Sequence, residues 1–208
     1  MSLTRKKGDF LEHYFTNNDN LKSELREIKY SFKDYSFSYV SDNGVFSKNK
    51  VDYGSSLLIK TIINNTNKDN LNILDVGCGY GFIGICLSKI LNSHTDMIDI
   101  NKRAIHLAEI NIKNNKVDSY AFLSNVYENV TNKYDLIVSN PPIRAGKEVV
   151  LEILLKAQDY LKDNGVLWFV IRKDQGVKSI NKILMDSYLI EVVSKDKGYY
   201  IVKAQRKI

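Results

Sequence analysis

The sequence predicts an α/β fold: a three-layer sandwich in which helices cover both faces of a mostly parallel, mixed sheet. Three observations predict it. From residue 71 onward, short apolar runs of strand length alternate with helix-length segments. A glycine-rich turn joins the first of these runs to its helix. The last two runs lie too close together for a crossover, so they form an antiparallel hairpin.

Taken in order, residues 30–40 (YSFKDYSFSYV) alternate aromatic and polar residues around Lys33-Asp34 and read as a hairpin. Residues 52–64 have helical apolar spacing with Asp52 as N-cap. NILDV (72–76) leads through the glycine turn into a helix ending about residue 92, and TDMIDI (95–100) into a helix over about 101–114. YAFL (120–123) is followed by a short loop, and DLIVS (135–139) by the chain's two prolines and a helix over about 147–162. VLWFVI (166–171) precedes a helix over about 176–186, and strands near 188–194 and 199–204 flank a Lys195–Gly198 turn. The expected division is an N-terminal extension over 1–50 and one main domain over 51–208.

With 208 residues, 44% hydrophobic and 26% charged, the chain is neither disordered nor fibrous. No apolar run approaches the ~18 residues of a membrane span, and MSLTRKKGDF lacks the apolar core of a secretion signal. Cys78 and Cys86 make no disulfide framework and sit in no metal-ligand cluster, which fits a reducing cytoplasm. Residues 141–208 hold 13 basic against 8 acidic residues, nearly all of the chain's net +6. That excess is either a basic face for a polyanion or drift toward the Lys and Asn codons of an AT-rich genome.

Ligands on such sheets bind outside the carboxyl ends of the strands. There the first strand ends in Asp75-Val76-Gly77-Cys78-Gly79-Tyr80-Gly81-Phe82-Ile83-Gly84. Residues 79–84 satisfy G-x-G-x-x-G, so a dinucleotide-dependent oxidoreductase is one reading. Asp75 argues against it, because a carboxylate ahead of the loop repels a pyrophosphate. It suits an ammonium-bearing nucleoside such as S-adenosylmethionine; the plainer reading is a helix-capping acid. Asp99, about 20 residues on, is placed to take ribose hydroxyls.

Asp75-Val76-Gly77-Cys78-Gly79-Tyr80-Gly81 resembles motif I of the class I S-adenosylmethionine-dependent methyltransferases. The resemblance implies a Rossmann-like, seven-stranded sheet with the last strand antiparallel. It implies a cofactor site of Asp75, Gly77, Cys78, Gly79, Gly81, Asp99, Ile100, Asn125 and Asn140. Asp75 would lie near the amino group, the glycines under the methionine moiety and Asp99 on the ribose. Where the family often has an acid facing the adenine amine, this chain has Ser124-Asn125.

Asn140-Pro141-Pro142-Ile143 follows the fourth strand. An exocyclic amine is a poor nucleophile because its lone pair is delocalised. Two acceptors on its hydrogens favour pyramidal geometry and turn the lone pair toward a methyl donor. An Asn side-chain oxygen and a neighbouring Pro carbonyl supply such a pair, and prolines stiffen the platform. The tetrapeptide resembles motif IV of the amino-methyltransferases.

The whole stretch NPPIRAGK resembles the small-subunit (16S) ribosomal RNA guanine-N2 methyltransferases, single-domain bacterial type. So do Gly44-Val45-Phe46-Ser47, Asp52-Tyr53-Gly54-Ser55 and Gly198-Tyr199-Tyr200. Adenine-N6 and protein-glutamine enzymes, the alternative, usually carry Tyr or Phe where this chain has Ile143. Ribosomal RNA or the small ribosomal subunit is therefore the expected partner. Phe46 is read as lying over cofactor or base, or as a core aromatic. Arg144 and Lys147 are read as phosphate or base contacts, or as a solvated loop; Arg172 and Lys173 extend the same rim or merely open a helix. His13, His94 and His106 show no catalytic or ligand spacing.

Overall fold

The structure, a computed structural model, describes residues 21–207. The basic N-terminal stretch, His13 and the first 20 residues of the expected 1–50 extension lie outside them. Strands β1 (Arg26–Phe32) and β2 (Tyr35–Ser41) form an antiparallel hairpin closed at Lys33-Asp34. It is longer than the expected 30–40, because Arg26 still pairs with Ser41. Of the residues that extend it, Ile28 is apolar and packs into the body. Asn111 and Asn115 stitch β2 to that body, accepting from Val40 N at 2.6 Å and Ser38 N at 3.1 Å.

Helix α1 (Tyr53–Asn65) is followed by β3 (Asn72–Val76), α2 (Phe82–Ile90), β4 (His94–Asp99), α3 (Lys102–Asn115), β5 (Ser119–Leu123) and β6 (Tyr134–Ser139). Then come α4 (Lys147–Tyr160), β7 (Leu161–Arg172), α5 (Val177–Leu184), β8 (Tyr188–Asp196) and β9 (Tyr199–Arg206). The seven strands β3–β9 form one sheet in the order β5-β4-β3-β6-β7-β9-β8. All neighbours through β7 are parallel; β9 is antiparallel to both β7 and β8. Strand β7 begins five residues earlier than the apolar run suggests, because Leu161 already pairs with Tyr134; a register shift then separates that pair from Leu136 and Val166. The β8–β9 turn narrows to Lys197-Gly198, both at positive φ as a two-residue hairpin turn requires.

Side-chain alternation explains why both faces are covered. Ile73, Met97, Leu136, Val138, Trp168 and Val170 enter one core with α1, α2, α3 and the hairpin. Leu74, Ile98, Ile137, Leu167, Phe169 and Ile171 enter the other with α4 and α5. Leu58, Ile59 and Ile62 of α1 are fully buried, each worth about 1.5–3 kcal/mol of transfer free energy. Among the described residues no helix is long and apolar enough to cross a membrane. From β3 the chain runs outward through β4 to β5, while β6 lies on β3's other side. The crevice of this sheet therefore opens where β3 and β6 end.

Candidate active site

At that crevice lies a cleft of about 780 Å³, walled by the turn after β3, the ends of β4 and β6, and the start of α1. The turn is held open by its own backbone: Gly77 and Cys78 both donate to Ile98 O, at 2.9 and 3.0 Å. Gly77 and Gly79 sit at φ 75° and 56°, and a Cβ on either would stand in open space. Their bare backbone thus forms a cradle that a ligand can approach closely. Gly84 serves packing instead. A Cβ there would lie 2.7 Å from Met97, so glycine lets α2 press on β4.

Asp99 stands at the cleft wall, its two oxygens accepting from Gly79 N and Asn101 N, both at 2.9 Å. The remaining lone pairs suit donors such as ribose hydroxyls. Burial raises its pKa above the ordinary carboxylate value. Ile100 and Asn125 line the cleft beside it, and Asn125 is exposed. Cys78 is buried in the same wall, where burial pushes its thiol well above the usual range and leaves it no nucleophilic role at neutral pH.

Asp75 lies behind that wall. It is 1% exposed, and its Oδ2 accepts from Gly84 N at 2.9 Å, so it caps the first turn of α2. Its Oδ1 is buried without a hydrogen-bond partner among the described residues. Burial, reinforced by Asp99, lifts its pKa to about 7. The residue does the plain capping work and holds an unmatched acceptor beneath the glycine turn.

The Asn140-Pro141-Pro142-Ile143 segment forms the opposite wall, with Ile143 opening a single 3₁₀ turn. Asn140 Nδ2 donates to Ser55 Oγ at 2.9 Å and Asp52 Oδ2 at 3.2 Å. A carboxylate oxygen only accepts, so it fixes which end of the amide faces it. Oδ1 is left as the acceptor offered to the cleft.

The rim separates the expected substrate residues. Phe46 is 54% exposed at the cleft, which removes it from the core. Arg144 and Arg172 line the cleft, Arg172 pairing with Asp174 at 3.1 Å and lying over the Tyr199 ring. Lys147 and Lys173 do not line it. Lys147 reaches Ser179 of α5 at 3.1 Å, and Lys173 pins the β8–β9 turn through its backbone N–H to Gly198 O at 2.8 Å. Sequence reasoning missed Ser55, Gln175 and Tyr199 in the wall and saw in Asp52 only a cap. The Asp52-Tyr53-Gly54-Ser55 likeness was the available signal. His94 and His106 lie outside the cleft, and no cluster of potential metal ligands occurs among the described residues.

The cradle, the paired acceptors of Asp99 and the cleft's volume fit a nucleoside with a flexible amino-acid arm. Comparison with known proteins agrees. Residues 36–203 match the family described as "Methyltransferase small domain". The chain is 40% identical to uncharacterized protein YbxB of Bacillus subtilis, over 94% of this chain and 98% of that one. It is 35% identical to ribosomal RNA small subunit methyltransferase C of Aliivibrio salmonicida over 73% of this chain, but spans only 45% of that relative's length. Among solved structures, the fold matches the 16S rRNA N2 G1207 methyltransferase of T. thermophilus, solved with AdoMet and guanosine, with TM-score 0.81 at 21% identity. The match covers 90% of this chain and 52% of that one. The cradle and the acceptor-bearing proline wall thus have a family to which they belong: the chain is a member of the Methyltransferase small domain family, with the class I methyltransferase fold.

Proposed function

We propose that the protein methylates an exocyclic amine, guanine N2 of small-subunit ribosomal RNA, in the cleft between the glycine turn and Asn140. The observation that carries this reading is the orientation of Asn140, whose Nδ2 is committed to Ser55 and Asp52. When bound, S-adenosylmethionine supplies an electrophilic methyl on a sulfonium. The glycine turn would hold its methionine part, Asp99 its ribose, and Ile100 and Asn125 its adenine edge. Asn140 Oδ1 and the Pro141 carbonyl would take the amine's two hydrogens and direct its lone pair at the methyl carbon. The acceptor nitrogen, once methylated, would carry the positive charge and would lose its proton to water. No strong base is needed.

Three features favour guanine in RNA. Ile143 gives the amine wall an aliphatic surface in place of a stacking ring. Arg144 and Arg172 stand on the rim where phosphates would pass. The curated relative from Aliivibrio salmonicida and the T. thermophilus structure are both named as methyltransferases of small-subunit RNA. The target base must leave its stack, at a cost of a few kcal/mol.

The test incubates purified protein and methyl-labelled cofactor with small-subunit particles and with free RNA, followed by digestion to nucleosides. Label in N2-methylguanosine is expected, and label in N6-methyladenosine or only in protein overturns the substrate. Binding should weaken steeply with salt, and Arg144→Ala or Arg172→Ala should each shallow the slope by about 0.7–0.9 per lost phosphate contact.

A further inference from the structure

We infer that Asp52 and Ser55 are positioning residues for methyl transfer: together they lock the Asn140 amide with its oxygen toward the acceptor amine, and the Asp52 charge strengthens that oxygen as an acceptor. The inference rests on the reading of the cleft as an amine methylation site and names the chain's own device for orienting it.

The geometry is a three-point clamp. Asp52 Oδ2 accepts from Ser55 N at 2.7 Å, which fixes the carboxylate at the N-cap of α1. The same oxygen accepts from Asn140 Nδ2 at 3.2 Å, and Ser55 Oγ accepts from it at 2.9 Å. Ser55 is 4% exposed, so little water competes for the second contact. Both amide hydrogens of Asn140 are thereby spoken for by two residues of one helix start.

A free Asn side chain can turn over and present its NH₂ where its oxygen should be. A flipped Asn140 would repel the amine it must hold, and it would also set its own oxygen against the Asp52 carboxylate. The clamp makes that state costly. Charge adds a second effect. A carboxylate bonded to the NH₂ end pulls positive character there and leaves more electron density on Oδ1. During transfer, positive charge grows on the acceptor nitrogen, so a better acceptor and a nearby carboxylate count for more in the transition state than in the ground state. The helix cap is the part of this arrangement that sequence alone reveals. Its second duty spans 88 residues of chain.

Asp52→Asn separates the duties, since Asn caps a helix about as well as Asp and its amide oxygen can still accept from Asn140. The expected result is a kcat at least tenfold lower, cofactor Kd within threefold and a melting temperature within about 2 °C of wild type. Ser55→Ala, which keeps the charge, should lower kcat about three- to tenfold. In an Asn140→Ala background both substitutions should change the residual rate less than twofold, because the group they orient is gone. A readout independent of turnover is the Asn140 side-chain NH₂ pair in ¹⁵N-resolved NMR, assigned by its loss in Asn140→Ala. It should shift and exchange faster with water in Ser55→Ala. Asp52→Asn and Ser55→Ala both turning over within twofold of wild type, or NH₂ signals unmoved in Ser55→Ala, overturns the clamp. The substrate reading fails separately: if wild type labels another amine, the same variants are assayed on that acceptor. If wild type labels nothing, the NMR arm decides.

Discussion

The two ends of the central sheet handle buried acids in opposite ways. At the amino end, Asp135 accepts from Lys162 Nζ at 2.7 Å and Asn72 N at 2.9 Å. Partial burial pushes against it, but the Lys162 bond and charge prevail and hold its pKa below the ordinary value. Asp96 there accepts from Tyr134 OH at 2.7 Å and from His94 at 3.2 Å. At the carboxyl end, Asp75 keeps an unpartnered oxygen, and both Asp75 and Asp99 are raised. One end uses its acids to hold the strands; the other carries acids that strain against the fold. Where charge is left unmatched, a ligand is expected to match it.

The largest way to break this contrast lies at Asn140. We expect Asn140→Ala to cut kcat at least 100-fold, about 2.7 kcal/mol of transition-state stabilisation, while circular dichroism and melting stay near wild type. A mutant retaining more than a tenth of the wild-type kcat would show that the carboxyl end is not specialised in this way. Next is Asp99→Ala, expected to weaken cofactor binding about 10- to 100-fold by calorimetry, about 1.5–3 kcal/mol for a charged hydrogen-bond partner. Preference for a nicotinamide dinucleotide in the same titration would remove the basis of the site.

A third expectation concerns pH. Asp75 has a folded pKa of about 7, against 3.8 for an unperturbed aspartate. Its contribution to stability is present below about pH 4 and is lost as pH climbs through about 7. Asp75→Asn should therefore flatten the fall in melting temperature of the cofactor-free protein between pH 5 and pH 7.5. An unchanged slope would mean the carboxyl is not strained. The smallest effect belongs to the amino end. Burial pulls the His94 pKa down, but bonds to Asp118 and Asp96 outweigh it and the net shift is upward. Its contribution is full below the ordinary His pKa and lost as pH rises through the folded one. His94→Gln should remove a shallow loss of stability above about pH 6.5 and leave turnover untouched.

Much of the fold was legible because strands and helices announce themselves through side-chain period. The inner parallel strands β3, β4, β6 and β7 read as short apolar runs because both of their faces are buried, whereas the edge strand β5 leaves Tyr120 exposed. Element ends moved by a few residues where pairing, not pattern, sets the limit, as at Arg26 and Leu161. The short connection predicted the antiparallel pairing of β8 with β9, but the placement of β9 between β7 and β8 is an inversion of chain order that adjacency in sequence does not encode. In the site, motif positions such as Asp99 and Asn140 reach the cleft because they sit at strand ends. Lys147 and Lys173 do not: the Lys147 side chain reaches Ser179, and Lys173 is fixed by its backbone bond to the β8–β9 turn at Gly198. The Asp52–Asn140 contact was out of reach of any local pattern, because no periodicity links positions so far apart.

The inverted order of β8 and β9 bears on how the protein is made. Among the described residues β8 pairs with no strand except β9, and β9 is synthesised after it. On a translating ribosome β8 emerges with an open edge and waits for β9, while β7 waits for the same strand from its other side. The sheet therefore cannot zip up residue by residue as synthesis proceeds. It closes in one late step, when β9 inserts between two strands already made. Until then β7 exposes one of the most apolar strands in the chain, which makes that interval the one in which a helper protein or a pause in translation would matter most.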